Sequence, residues 1–330
     1  MGAEATTGVS VVGSVHMDVV ATADRLPGKG ESVVGHRVAL SPGGKAGNQA
    51  AQAALNGART FLVGRVGRDV FGDRLRAALA RTGVDTTYLT VDSQGATGVS
   101  PVLTGADGEY ASIIVPGTGH RLEPTDIDAA RDAFAQSTVL LLQCEIPVRI
   151  SAHAARLARS LGGRVIFNAS PAPAGAEAIP DALWSAVDVL LVNGVEAERL
   201  SGMSVADVPA AVKAGEALRR RFGMPSVIVT LGGHGVVALD ERGTHHLPAW
   251  PVPVVETIGA GDAFAGVLAS ELARGLDLDE ALPLANAAGA LAVTRSGAHD
   301  ALPKGAQIRA FLTEHQRAES DGDGCYGDRD

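Results

Sequence analysis

Cysteine is almost absent from this chain. Two thiols, Cys144 and Cys325, in 330 residues cannot build a disulfide framework or a four-ligand structural zinc site, and their scarcity fits a reducing cytoplasm. Aromatic residues are nearly as scarce, at 4%, which leaves few platforms for stacking single-stranded nucleic acid. A basic excess is missing as well. The 28 Lys and Arg stand against 37 Asp and Glu, a net charge of −9, and no cationic stripe offers itself to a duplex. No apolar run approaches the roughly 18 residues of a membrane helix. The opening MGAEATTGVSVVGS has no basic segment ahead of an apolar core, so no secretory signal is expected. Nucleic acid and membrane are therefore not the expected partners.

What is present is globular: 46% hydrophobic and 20% charged residues, with 41 glycines. Length alone suggests about two domains, but α/β folds of this size often form one core with attachments. Short apolar, β-branched runs recur at Val9–Val12, Thr60–Val63, Val139–Leu142, Val165–Phe167, Val187–Val192 and Val227–Thr230. Helical stretches alternate with them: Asp69–Thr82, one after Thr125 with Asp128 in capping-box spacing, and one after Asp277 with Glu280 three positions on. Continuous apolar strands between helices predict a doubly wound, mostly parallel α/β sheet covered on both faces. Ser32–Leu40 and Thr97–Val115 break the alternation. They read as strands without helices, the second interrupted by the turn Gly105-Ala106-Asp107-Gly108. A small β-sheet lid, from about 16–40 and 97–118, is expected on a single domain spanning 8–316. Residues 1–7 and the acidic stretch 317–330 are expected to be disordered; from Glu319 to Asp330 five acids (Glu319, Asp321, Asp323, Asp328 and Asp330) face one Arg329.

Several constellations carry chemistry. In Thr257-Ile-Gly-Ala-Gly-Asp262, Gly259, Ala260 and Gly261 sit where the chain turns into a helix, and free N–H groups there attract an anion. Asp262, on the first turn, would either cap the helix or abstract a proton from a hydroxyl attacking a phosphate. Pro42-Gly-Gly-Lys-Ala-Gly-Asn-Gln-Ala50 opens an Ala-rich helix with Lys45 and Asn48 as polar donors on its first turn; a plain glycine turn is the alternative. It is not a Walker A loop, and the chain also lacks GxGxxG, HExxH and GxSxG patterns. Asn193-Gly-Val-Glu196 and Thr230-Leu-Gly-Gly-His-Gly235 follow apolar strands at the ends where α/β sheets bind ligands, although Glu196 would also suit a helix dipole. Asp18 and Glu145 are likewise placed at strand ends, after Val9–Val15 and Val139–Cys144. His16 alone reads first as a hydrogen-bonded structural histidine.

Taken in order, Gly13–Asp18, Pro27–Glu31, Gly43–Ala50, Gln143–Glu145, Asn193–Glu196, Thr230–Gly235, Thr257–Asp262 and Ala292–Ala298 resemble the ribokinase-like (phosphofructokinase-B type) sugar kinases over residues 8–316. The resemblance implies an ATP-dependent kinase of a free sugar, ribose first. Asp262 would be the general base, with Gly259, Ala260 and Gly261 the anion hole. Asp18, Gly43, Gly44, Lys45, Asn48 and Glu145 would hold the sugar, with His16 beside them. Asn193, Thr230, Leu231, Gly232, Gly233, Gly235, Gly261 and Asn286 would hold ATP, and Glu196 would organise Mg²⁺ through water. A monovalent cation, K⁺, would fall on Glu256, Ile258, Ala292, Arg295, Gly297 and Ala301. The lid would clasp a second copy into a homodimer.

Three departures from the family pattern stand out. The usual Asn two residues before Asp18 is His16, the usual Asp before Thr257 is Glu256, and the lid's Gly-Ala-Asn is Gly117-Thr118-Gly119, followed by His120-Arg121. A nucleoside kinase would need aromatics in the lid, which holds only Tyr110. A sugar-phosphate kinase would need extra cations, for which Arg37 and Arg121 are the candidates. A non-catalytic sugar-binding regulator would have lost the Gly-Ala-Gly-Asp262 segment, which is intact.

Overall fold

The computed structural model describes residues 7–106 and 109–322. The expected disordered N-terminus thus lies outside the described residues except for Thr7, as do Asp107 and Gly108 of the lid turn. The last helix, Gly305–Gly322, runs past Arg317, where the acidic tail was expected to begin. Extending an existing helix gains one hydrogen bond per residue fixed, and Arg317-Ala318-Glu319 offers no Gly or Pro to stop it. Residues 323–330 are outside the described part.

The main body is a ten-stranded sheet. Across it run Thr244–Leu247, Val236–Leu239, Ser226–Thr230, Val189–Asn193, Arg164–Asn168, Ser137–Leu142, Gly8–Val12, Thr60–Gly67 and Val84–Asp85, with Leu89–Asp92 paired to the outer half of Thr60–Gly67. All pairs are parallel except those made by Val236–Leu239. Alternation along each strand divides the core in two. Val9, Val11, Leu141 and Ile166 pack on one face, with Ala46, Ala263 and Ala281 of the helices Lys45–Leu55, Ala260–Ala273 and Leu278–Ala292. Val12, Leu140, Leu142 and Phe167 pack on the other, with Ile150, Ala197 and Ala211 of Val148–Ser160, Gly194–Ser201 and Val208–Phe222. Neither face of these strands meets water, so their runs are continuously apolar.

Helix starts follow local chemistry. Asp69 accepts from the N–H groups of Phe71 (3.1 Å) and Gly72 (2.9 Å), and Asp277 from Glu280 N–H at 3.0 Å. The expected cap at Thr125 is two residues too late: the N-cap is Glu123. Pro124, whose fixed φ suits the first helical position, starts the helix Pro124–Ala129, and Asp126 accepts from Glu123 N–H at 2.8 Å.

The lid is a separate four-stranded sheet in the order Arg37–Gly43, His16–Thr22, Gly98–Thr104, Tyr110–Ser112. Its second strand corrects the placement of Asp18, which lies within the lid strand and not at the end of a core strand. The expected strand Ser32–Leu40 begins only at Arg37 because its partner ends at Thr22, directly opposite Arg37; His36 N–H still reaches Thr22 O at 2.9 Å, and the ladder stops there.

Candidate active site

Chain order places the site. Gly8–Val12 neighbours Thr60–Gly67 on one side and Ser137–Leu142 on the other, so the winding direction reverses between the first and last of these, and a crevice opens at their C-terminal ends. The residues just beyond those two ends meet. Ser14 Oγ donates to Glu145 Oε2, and the same oxygen accepts from Lys45 N–H at 2.9 Å. Gly44 makes the turn above them at φ 87°, with an added Cβ only 2.7 Å from Ser14 O and 2.8 Å from Val15 Cα. Any side chain there would collide with backbone in a conformation L-residues disfavour.

The helix Lys45–Leu55 then lies against Ala260–Ala273 almost backbone to backbone. A Cβ on Gly266 would stand 2.6 Å from Gln49 O. This close crossing, possible because both helices are rich in Ala and Gly, brings Asn48 and Gln49 onto Asp262. Asn48 Nδ2 donates to Asp262 Oδ2 (3.2 Å) and Gln49 Nε2 to Oδ1 (2.9 Å). The capping alternative for Asp262 therefore fails: Gly259 (φ 87°) is the N-cap and no side chain caps this helix. Burial pushes the Asp262 carboxyl up from its ordinary value, Glu145 adds to the rise, and Lys45, Gln49 and Asn48 only partly oppose it. A buried carboxylate shifted towards neutrality is suited to accept a proton.

Beside Asp262 is a cavity of about 320 Å³ lined by Lys45, Asn168, Ser170, Asn193, Glu196, Thr230, Thr257, Ile258, Gly259 and Gly261, among others. A Cβ on Gly261 would meet nothing within 4 Å, so the uncapped helix end faces open space. A second cavity of about 260 Å³ shares Asn193 and Thr230 and continues past Leu231, Gly232 and His234. Gly232 and Gly233 have no atom within 4 Å of an added Cβ, whereas Gly235 (φ 86°) would meet Leu247 O at 2.0 Å. Gly235 is thus required by the neighbouring strand, and Gly232 and Gly233 are the glycines that leave room for a ligand. Glu196 and Asn193 form a reciprocal cap, Glu196 N–H to Asn193 Oδ1 at 2.8 Å and Asn193 N–H to Glu196 Oε2 at 2.9 Å, which fixes Glu196 on the cavity wall. Asn286 lines neither cavity. Its Nδ2 donates to Pro248 O at 2.9 Å.

On the lid side, His16 and Asp18 project together, as alternate residues of a strand must, with Nε2 to Oδ1 at 3.2 Å. Burial, which lowers the His16 pKa, is outweighed by the hydrogen bond to Asp18 and the charges of Glu145, Asp18 and Asp262, and the net direction is upward. Lys45 is also raised: burial opposes its charge, but Asp262, Glu145, Glu196 and Cys144 favour it. Asp18 lies over Gly43, where a Cβ would come within 2.3 Å of Oδ2. His16 Nδ1 and Asn48 Oδ1 are buried with no partner. Buried polar atoms are rarely left so, and both are free to bond a hydroxyl.

The remaining candidates divide. Gly297 N–H donates to Glu256 Oε2 at 3.0 Å, and Val255 and Glu256 N–H both reach Val293 O, so the segments carrying Glu256, Ile258, Ala292, Arg295, Gly297 and Ala301 are joined. Gly117–Arg121 forms a 3₁₀ turn in which Thr118 Oγ1 donates to Arg65 O at 3.2 Å and Gly119 has open space where a side chain would project. Arg121 is committed to Asp92 at 2.7 Å. Arg37 pairs opposite Thr22, six positions from the His16 end and about 20 Å away at roughly 3.3 Å per residue. Sequence reasoning missed Gln49, Ser14, Asn168 and Ser170 as site residues. The rule of polar residues at strand ends would have found Asn168; Gln49 carries no such signal, since an amide in an Ala-rich helix reads as filler.

A buried carboxylate beside an uncapped helix end, a cavity with glycine walls and a lid together suit phosphoryl transfer to a hydroxyl. Residues 6–305 match the pfkB family carbohydrate kinases, and the chain belongs to that family: it is a carbohydrate kinase of the ribokinase-like type. It is 32% identical over 307 residues to ribokinase of Haemophilus influenzae, covering 93% of this chain and 98% of the relative. It is 30% identical over 305 residues to deoxyribokinase of Salmonella typhi, covering 92% and 98%. The structure of Arabidopsis thaliana ribokinase complexed with ribose and ATP superposes with a TM-score of 0.85 at 29% identity, covering 92% of this chain and 98% of the other.

Proposed function

We propose that this kinase transfers the terminal phosphoryl group of Mg-ATP to a hydroxyl of a free sugar, D-ribose first, giving ribose 5-phosphate. The observation that carries the reading is Asp262: buried, raised in pKa, held by two amide donors, and set on the first turn of a helix whose end opens into the cavity. The ribose- and ATP-bound Arabidopsis structure and the ribokinase relative support the substrate pair.

In this mechanism Asp18, Asn48 and Glu145 orient the sugar, Asn48 through its free Oδ1. Asp262 takes the hydroxyl proton as the oxygen becomes a nucleophile. N–H groups of Gly259, Ala260 and Gly261 meet the charge that develops on the transferred group. The open space at Gly261, Gly232 and Gly233 fits a nucleotide, which Asn193, Thr230 and Leu231 would flank, and Glu196 is a hard oxygen donor suited to organising Mg²⁺ through water. Mg-ATP, when bound, supplies the phosphoryl group and its charge neutralisation. The joined segments at Glu256, Ile258, Ala292, Arg295, Gly297 and Ala301 offer carboxylate and carbonyl oxygens, which suit K⁺ as an activator. Asn286 keeps a place in the nucleotide site only if its bond to Pro248 O is exchanged on binding.

ATP consumption measured against free sugars, sugar phosphates and nucleosides tests the reading. Turnover confined to free pentoses is the expected result; turnover of a sugar phosphate or a nucleoside alone would overturn it. Arg37 is remote from the pocket and Arg121 is bonded to Asp92, which weighs against a phosphorylated substrate.

His16 favours a second reading, a deoxypentose, because an imidazole is bulkier than an amide and is here tied to Asp18. His16→Asn should change the ratio of kcat/KM for ribose against deoxyribose by roughly tenfold or more, since a buried hydrogen bond gained or lost is worth about 1–3 kcal/mol. An unchanged ratio would leave His16 a structural residue.

The lid is the proposed dimer surface. Val38 (70% exposed) and Ile113 (68%) stand out on it with Leu40 and Val115, and Arg37–Gly43 and Tyr110–Ser112 are its edge strands, an arrangement that invites pairing with a second copy. Sedimentation at micromolar concentration should give a dimer, and Val38→Lys with Ile113→Lys should give a monomer. A wild-type monomer would contradict the assignment.

A further inference from the structure

Gln49 is wholly buried, at 0% exposure, and lines neither of the two cavities described above. Its amide is nevertheless the centre of a directed chain. Gln49 Nε2 donates both to Asp262 Oδ1 (2.9 Å) and to Asn168 Oδ1 (3.0 Å), while Gln49 Oε1 accepts from Gln143 Nε2 at 2.6 Å. Each link has only one possible sense. An ionised carboxylate accepts only, so Gln49 must present its NH₂ to Asp262. Asn168 Nδ2 is taken by Leu191 O at 3.1 Å, so Asn168 must present its oxygen to the same NH₂. The oxygen of Gln49 then faces Gln143, which must present a donor. The backbone is pinned as well, since Gly266 of the base's own helix packs against Gln49 O.

We propose that Gln49 is a positioning residue for phosphoryl transfer: its amide, oriented by Asn168 and Gln143, holds one oxygen of the Asp262 carboxylate in place and leaves the other turned towards the acceptor hydroxyl. The proposal rests on Asp262 being the base. Asn48 does not duplicate this role, because it donates to the second oxygen at a longer 3.2 Å, on the side where the sugar would bind. A donor to the charged form also favours that form, so loss of the Gln49 N–H should raise the pH at which Asp262 releases its proton. Three other charges act on the base or its neighbourhood and stay in place in such a variant: Lys45 from the adjacent helix, Glu145 beyond strand Ser137–Leu142, and His16 from the lid.

The test compares wild type, Gln49→Met, Gln143→Met and Asp262→Asn by kcat, sugar KM and ATP KM from pH 5.5 to 9. Methionine keeps the side chain's length without the donor. Gln49→Met is expected to lose roughly tenfold or more in kcat at neutral pH with ATP KM within about threefold. The acid limb of its profile should move up, so that the deficit shrinks at high pH. Gln143→Met, which leaves Gln49 and Asp262 untouched, should show the same pattern at smaller amplitude and serves if Gln49→Met does not fold. A deficit constant across pH in both variants, or wild-type kcat in either folded protein, would overturn the proposal. Activity surviving in Asp262→Asn would instead overturn the assignment of the base, and the positioning role with it.

Discussion

Asp262→Asn should lower kcat by at least ~10²-fold while leaving ATP KM within a few-fold. The substitution is nearly isosteric: Gln49 can still donate to the one amide oxygen, and Asn48, whose Oδ1 has no partner, can turn that oxygen to the new NH₂, so the two crossing helices keep their contact. What is lost is the proton acceptor. Burial already holds this carboxyl above its ordinary value, so the wild-type enzyme should itself lose activity towards acid as the base becomes protonated. The variant should lack that acid limb. Near-wild-type turnover by Asp262→Asn, or an unchanged acid limb, would remove Asp262 from the mechanism.

Gly43→Ala is expected to lower kcat/KM for the sugar by roughly ten- to hundredfold, the range of one or two lost charge-assisted hydrogen bonds, with little change in thermal stability. Gly43 is not among the positive-φ glycines, so alanine suits the backbone. The added methyl would instead sit 2.3 Å from Asp18 Oδ2, 2.6 Å from Cγ and 2.7 Å from Oδ1. A carboxylate can rotate away from such a clash at small energetic cost, but it then leaves the place beside His16 from which it would hold the sugar. The neighbouring Gly44→Ala should differ: its Cβ meets main-chain atoms in a left-handed conformation, so melting temperature should fall together with activity. Equal stability losses in the two variants would contradict this division. So would unchanged sugar KM in Gly43→Ala.

The α/β alternation was legible because strands buried on both faces must be continuously apolar, and Val139–Leu142 and Val227–Thr230 were found almost to the residue. The lid was legible as an interruption but not in its register. Ser32–Leu40 has strand composition, yet pairing is decided by where Thr22 ends the neighbouring strand, which no local pattern reports. The Thr125 cap failed for a similar reason: two residues compete for one helix start, and Pro124 wins. At the site, glycines announced turns but not which of them serve a ligand; only the surrounding space separates Gly232 from Gly235. Gln49 was invisible because its role comes from the helix crossing at Gly266, a contact more than two hundred positions away in sequence.

The most direct test of the central claim is product analysis by mass spectrometry and phosphorus NMR after incubation with Mg-ATP and the pentose found in the screen. Wild type should form one sugar monophosphate for each ADP released, phosphorylated at a single hydroxyl, and Asp262→Asn should form almost none in the same time. ADP appearing without a sugar phosphate, or the same yield from both proteins, would contradict the account.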